Sequence, residues 1–151
     1  YWEAERKLII SAQLSQLDEI VEIENSSFKK PWKRSQLMDD IRNHIDSENW
    51  VFVQDEKVVG YIFGWIIQKE FHLHNIAVHP NYLRKKIGQK LINHIISRVA
   101  DQKVNVILLE VSVNNVSARK CYQSLGFVEV GMRKDYYSKG DDAILYNLEI
   151  N

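Results

Sequence analysis

Between Asn75 and Leu91 the chain switches from strand to helix through a basic turn, and few architectures accommodate that switch. Asn75-Ile76-Ala77-Val78 is β-rich, His79-Pro80 stops it, and a helix opens near Ile87-Gly88. Ile87, Leu91, Ile92, Ile95, Ile96 and Val99 then recur at helical spacing, an apolar stripe that has to be buried against another layer. The first N–H groups of such a helix have no intrahelical partner, and its dipole favours negative charge, so the turn is a candidate anion site. Arg84, Lys85, Lys86 and Lys90 place cations around it. A solvated basic loop is the competing reading of the same residues.

Around this centre the elements alternate. Lys7 to Gln13 reads as a strand, and Ser15-Gln16-Leu17-Asp18 has the outline of a capping box opening a helix to about Ser26. Phe28-Lys29-Lys30-Pro31-Trp32 interrupts it, because proline removes a donor and restricts the residue before it. A short helix from Arg34 to Asn43 and a polar loop from Asn43 to Asn49 follow. Trp50–Gln54 and Val58–Ile67 read as a hairpin, and Phe71–Val78 continues the meander. After the helix from Ile87 to Gln102, the strand Val104–Val113 carries the unbroken apolar run Val106-Ile107-Leu108-Leu109, which predicts cover on both faces. Asn114-Asn115 are cap candidates for a helix from Val116 to Leu125, which Gly126 ends. Phe127–Met132 and Ala143–Glu149 are the last strands, joined by a polar loop holding Tyr136, Tyr137 and Gly140. The order β-α-α-β-β-β-α-β-α-β-β predicts an α/β fold, one mixed sheet with helices on both faces.

Composition narrows the partners. Twenty basic and twenty acidic side chains cancel, so no broad positive field gathers nucleic acid, whereas a local basic spot suits one phosphorylated ligand. Nothing reads as a membrane span, and the mixed, charged start Tyr1–Lys7 is unlike a signal peptide. A single cysteine, Cys121, excludes an internal disulfide and suits a reducing compartment, so the expected location is cytoplasmic.

Several residues could carry chemistry. Glu110 ends the most apolar strand, where it is either a general base in a strand-end cleft or an exposed glutamate. Tyr122, seven residues past Asn115, can face the N-terminal side of its helix as a proton donor or pack in the core. Cys121 reads as an inert buried thiol. His72 and His74 share one side of a strand, but no further His/Cys spacing completes a metal site, so no metal is expected. His79 and His94 read as structural, and Trp32, Tyr136 and Tyr137 as groove-lining or loop-packing aromatics.

In this order and spacing, Asn75–Pro80, Leu109-Glu110-Val111 followed by Asn114-Asn115, and Ala118 through Tyr122 to Leu125-Gly126-Phe127 resemble the GNAT family of acyl-CoA-dependent N-acetyltransferases. More narrowly they resemble the bacterial ribosomal-protein alanine N-acetyltransferases. Phe28–Trp32, Tyr136-Tyr137 and Asp142-Ala143 look like that subgroup's substrate-loop signatures. The resemblance covers nearly the whole chain and implies a single N-acetyltransferase domain over 1–151, with a mostly antiparallel sheet and one parallel strand pair that splays apart. It implies that acetyl-CoA lies in that gap against backbone groups of Ile76, Ala77 and Val78. Arg84, Lys85, Lys86, Ile87, Gly88 and Gln89 would wrap its pyrophosphate, and Asn115 would meet its pantetheine. Glu110 would be the general base and Tyr122 the general acid, with no metal.

One departure stands out. The family's loop reads Gln/Arg-x-x-Gly-x-Gly/Ala, whereas this chain has Leu83 at the first position and Lys86 where the first glycine stands, retaining only Gly88. The leading expectation is acetyl transfer to a protein N-terminal α-amine, possible acceptors including a ribosomal protein. A small-molecule amine acetyltransferase and a non-catalytic CoA-sensing or protein-binding module stay open as alternatives. Oligomeric state and obligate partners are not legible in the sequence.

Overall fold

The computed structural model describes residues 6–42 and 45–150. Among these, the strands are β1 (Lys7–Ser11), β2 (Ser47–Gln54), β3 (Lys57–Ile67), β4 (Glu70–Val78), β5 (Val106–Ser112), β6 (Val128–Ser138) and β7 (Asp141–Glu149). The helices are α1 (Leu17–Ser27), α2 (Arg34–Arg42), α3 (Ile87–Ala100) and α4 (Val116–Ser124). Their order is the expected one. The strands form one sheet, β1-β2-β3-β4-β5-β7-β6, in which β4 and β5 are parallel and every other pair is antiparallel.

Two apolar cores flank the sheet. On one face the α3 stripe Ile87, Leu91, Ile92, Ile95 and Val99 is almost wholly buried against Phe52, Val59, Ile62, Phe71, Leu73 and Ile107. Each such side chain contributes about 1.5–3 kcal/mol of burial, an upper estimate because unfolded chains are already partly collapsed. On the other face Leu17, Ile20 and Ile23 of α1 and Leu37 and Ile41 of α2 cover Val51, Val58, Tyr61, Phe63 and Ala77.

One irregularity in β4 organises the centre of the sheet. Asn75 pairs with Phe63 and Leu73 with Gly64, so His74 is an extra residue, a β-bulge. Gly64 is required beside it, because a Cβ there would fall 2.2 Å from the Phe71 ring and 2.6 Å from the His72 carbonyl oxygen. The bulge inverts the side-chain alternation of β4. Phe71 and Leu73 enter the α3 core, whereas Ala77, past the bulge, enters the core beneath α1 and α2.

Some boundaries differ from expectation. Gln13, not Ser15, begins the turn before α1: its backbone N–H donates to Gln16 Oε1 at 2.8 Å, and a 3-10 turn over Leu14–Gln16 precedes the helix. Strand β2 begins at Ser47, inside the expected loop, because Ser47, Glu48 and Asn49 pair with Trp65, Gly64 and Phe63. Asn43 and His44, expected to end α2 and open that loop, lie outside the described residues, as does the start 1–5. The polar loop around Tyr136 and Tyr137 belongs to β6, which runs to Ser138 as an edge strand. An edge strand exposed on both faces shows no apolar alternation, hence its loop-like sequence. No helix of the described residues is long and apolar enough to cross a membrane.

Candidate active site

The parallel pair β4–β5 runs in register only from Glu70–Val106 to Leu73–Leu109. Beyond it the strands part. Ile76, Ala77 and Val78 remain paired with Ile62, Tyr61 and Gly60 on their other side, so their groups facing β5 line an open gap. Glu110 is the first residue of β5 past the last pair, and the bulge at His74 is its counterpart on β4. A sheet that opens between parallel strands at their C-terminal ends is a standard position for a ligand.

Glu110 points away from Leu109 and Val111, which are in the α3 core, onto the face it shares with Leu145. About a third of its side chain is exposed, and Arg133 Nη2 of β6 lies 3.5 Å from Oε1. Arg133 in turn lies over the Tyr136 ring, 5.3 Å from its centroid. The Tyr137 hydroxyl is pushed up to about 12, first by burial and then by the Glu110 charge, with Tyr136 and Asp141 adding to it. Glu110 is thus an exposed strand-end glutamate with Arg133 beside it, at the mouth of the gap.

Tyr122 is buried in α4, with its ring 5.6 Å from Phe127 and 6.3 Å from Tyr146. Burial, then Cys121 and Tyr137, raise its hydroxyl above the ordinary phenol range, so it remains a donor. The packing expected of a helical tyrosine is present at Tyr122, which belongs to the α3-side core. Burial likewise pushes the Cys121 thiol up, consistent with an inert cysteine.

The anion turn keeps its shape without the expected glycine. Arg84 and Lys86 adopt left-handed backbone, φ 64° and 61°, which non-glycine residues seldom do. Lys86 is the N-cap of α3 and makes no side-chain cap hydrogen bond, so the N–H groups of Ile87, Gly88 and Gln89 open the helix without a side-chain acceptor. At Gly88 a Cβ would meet nothing within 4 Å, which leaves room beside the backbone. Lys85 Nζ rests 5.4 Å from the Tyr82 ring centroid. Asn115 caps α4 as expected, its Oδ1 accepting from Ala118 N–H at 3.2 Å. Its amide N–H groups remain as the part suited to a ligand. The helix opening and its surrounding cations suit a phosphorylated ligand end.

Two further segments frame the gap. The link between α1 and α2 meets β6 where Lys30 Nζ donates to the Tyr137 carbonyl at 3.4 Å. Ser112 bonds Asp141, and Asn114 Nδ2 donates to the same carboxylate at 3.1 Å, tying the end of β5 to the β6–β7 hairpin. Arg133 and Lys30 were not foreseeable, because their partners lie far along the chain. Of the remaining histidines, His72 pairs with Glu70 at 3.1 Å, His74 packs edge-on against Trp65, His79 accepts from Asn81 N–H, and His94 packs against Trp50. Among the described residues no group of three or more His, Cys, Asp or Glu is arranged to hold a metal.

Comparison with known proteins shows the family and the fold. Residues 17–127 match the Acetyltransferase (GNAT) family. The chain is 35% identical over 106 residues to the ribosomal protein bS18-alanine N-acetyltransferase of Escherichia coli K12, a match spanning 68% of this chain and 72% of that protein. The crystal structure of the ribosomal-protein-S18-alanine N-acetyltransferase from Escherichia coli superposes with a TM-score of 0.89 at 28% identity, over 97% of this chain and 95% of that one. Arabidopsis thaliana NAA60 in complex with acetyl-CoA shares the fold, with a TM-score of 0.85 at 17% identity over 97% and 99% of the two chains.

Proposed function

This chain belongs to the GNAT acetyltransferase family and is an acetyl-CoA-dependent N-acetyltransferase; from that premise we propose that its acceptor is the α-amine of a protein N-terminus. The observation that carries the reading is the junction of the strand gap with Glu110 at its mouth, between the α1–α2 link and the β6–β7 hairpin. We take residues 1–151 as one catalytic unit. A ribosomal protein is the favoured acceptor, because the bacterial relatives are named for acetylating bS18.

In this reading, backbone groups of Ile76, Ala77 and Val78 bind the acetyl-bearing arm. The turn from Arg84 to Gln89 cradles pyrophosphate, and the Asn115 amide meets the pantetheine. The co-substrate supplies a thioester carbonyl and a thiol leaving group. Only a neutral amine attacks such a carbonyl, so Glu110 accepts the amine's proton. A free α-amine has a reference pKa near ~8 against roughly 10.4 for lysine, so a carboxylate base suits the first acceptor better. Tyr122 donates its hydroxyl proton toward the departing sulfur. Its raised pKa means that it gives up that proton only as negative charge builds there. The left-handed backbone of Lys86 is the conformation a glycine there would supply, which supports a working phosphate turn over a non-catalytic module.

Calorimetric titration with acetyl-CoA, followed by assay of peptide and polyamine acceptors, tests this reading. Micromolar binding and acetylation confined to peptide α-amines are expected. Polyamine acetylation in preference to peptides, or no binding to folded protein, would overturn it.

A further inference from the structure

Glu24 on α1 is 1% exposed, among the most deeply buried ionisable groups of the molecule. Its carboxylate gathers three donors from three places. Oε1 accepts from the Tyr61 hydroxyl on β3 and from Asn75 Nδ2 on β4 at 2.5 Å, while Oε2 accepts from the backbone N–H of Trp32 at 2.8 Å. Trp32 lies in the link between α1 and α2, whose Lys30 reaches Tyr137 beside Glu110. Asn75 lies directly after the His74 bulge, where β4 leaves β5. One side chain therefore ties the outer wall of the site to the start of the gap.

A purely structural role leaves this choice of residue unexplained. Burying a carboxylate costs solvation, and an apolar residue would fill the same core position more cheaply. Only a group with two accepting oxygens can hold donors from a loop, β3 and β4 at once. We propose that Glu24 is a positioning residue: it fixes the 28–33 segment over the strand gap and so sets acceptor affinity, without touching acetyl-CoA. This rests on the peptide-acceptor reading above. The Tyr61 hydroxyl shares Oε1 with Asn75, so removing it leaves both the Oε2 bond to Trp32 and the Asn75 bond in place, which makes it the control.

The test is Glu24→Gln beside Tyr61→Phe, read by peptide KM and kcat, acetyl-CoA affinity and amide hydrogen exchange. An amide has one accepting oxygen, so with that oxygen toward Asn75 its NH2 opposes the Trp32 N–H. Glu24→Gln is expected to raise peptide KM about tenfold, leave acetyl-CoA affinity within about twofold, and speed exchange over 28–33 but not in α3. Tyr61→Phe is expected to keep peptide KM near wild type. An unchanged KM in Glu24→Gln, an equal KM rise in both variants, or a parallel loss of acetyl-CoA affinity would overturn the proposal. If Glu24→Gln does not fold, Asn75→Ser cuts the link to β4 and is expected to raise KM alike; a normal KM there would overturn it. Should the wild-type protein acetylate no peptide, the acceptor reading fails by itself. Exchange over 28–33 then decides for Glu24, faster exchange supporting it and unchanged exchange refuting it.

Discussion

Lys86 holds the backbone shape for which glycine is the usual choice, and it does so at the entrance to α3. A left-handed non-glycine residue costs about 1–2 kcal/mol, part of which glycine would return as unfolded-state entropy. Lys86→Gly is therefore expected to stabilise the protein by about 0.5–1 kcal/mol in denaturant titration. The same change removes a cation beside the proposed phosphate site. Acetyl-CoA affinity should fall by roughly twofold to fivefold at low salt, with the difference closing as ionic strength rises. At Glu110 the expected loss is chemical. Glu110→Gln should lower kcat/KM by about 10²–10⁴, most severely below pH ~8, where the acceptor amine is largely protonated. A pH–rate profile parallel to wild type would remove Glu110 as the base. Tyr122→Phe keeps the ring packed against Phe127 and Tyr146, so kcat should drop by about tenfold or more while acetyl-CoA affinity holds.

The elements themselves were largely legible because each carries its own punctuation. The α3 stripe, the Asn115 cap and the Pro31 break each act within a few residues, where periodicity and turn chemistry are decisive. What escaped was long-range. Glu24 sits on the same α1 face as Ile20 and Ile23, a hint that its side chain goes inward, yet its partners lie 8, 37 and 51 residues away. The His74 bulge is likewise a property of two strands together. Strand β6 was cut short because an edge strand needs no apolar alternation. Of the candidate site, the strand-end place of Glu110 and the basic turn before α3 were legible from position and their proposed roles only from the family resemblance, whereas Arg133 and Lys30 became visible only when the hairpin folded back beside β5.

A second buried carboxylate joins β2 to α3. Glu48 accepts from Arg98 Nε at 3.1 Å and from Trp50 Nε1 at 3.0 Å. Burial pushes its pKa up, but hydrogen bonds from Arg98, Trp50 and Gln102 together with the Arg98 charge outweigh it, and Glu48 ends below the usual carboxylate range. A lowered folded-state pKa stabilises above the unfolded value, about 4.3, and that contribution disappears as pH falls through the folded value. Glu48→Gln should thus cost about 1–2 kcal/mol near pH 7 and progressively less below about pH 4. Denaturant midpoints measured across that range check it, and a pH-independent difference would contradict the ion pair's role.

At the scale of the whole molecule the sheet has two unlike halves. Helices cover both faces of β2 to β4, whereas the core beneath α1 and α2 includes no residue of β5 or β7, whose face carrying Glu110 and Leu145 is only partly covered, short of the two-sided cover expected for Val106–Leu109. The strand gap, the proposed acetyl-CoA site, lies at the seam between the halves. A ligand bound there joins them and should stabilise the fold as a unit. Acetyl-CoA at about 100 times its Kd is worth about 2.7 kcal/mol, a rise in Tm of roughly 5–11 °C for a chain of this size. Scanning calorimetry with and without acetyl-CoA reads this directly, and an unmoved Tm would argue against the gap as its site.

The parting of β4 from β5 also bears on how such a chain can change over generations. A slot edged by main-chain N–H and C=O groups keeps the same polar rim whatever side chains it carries, so replacements along Ile76–Val78 alter only the packing behind it. The groups around Glu110 are side chains, each replaceable on its own. In the proposed reading, the side-chain half can drift toward new acceptors while the main-chain slot keeps its rim for acetyl-CoA.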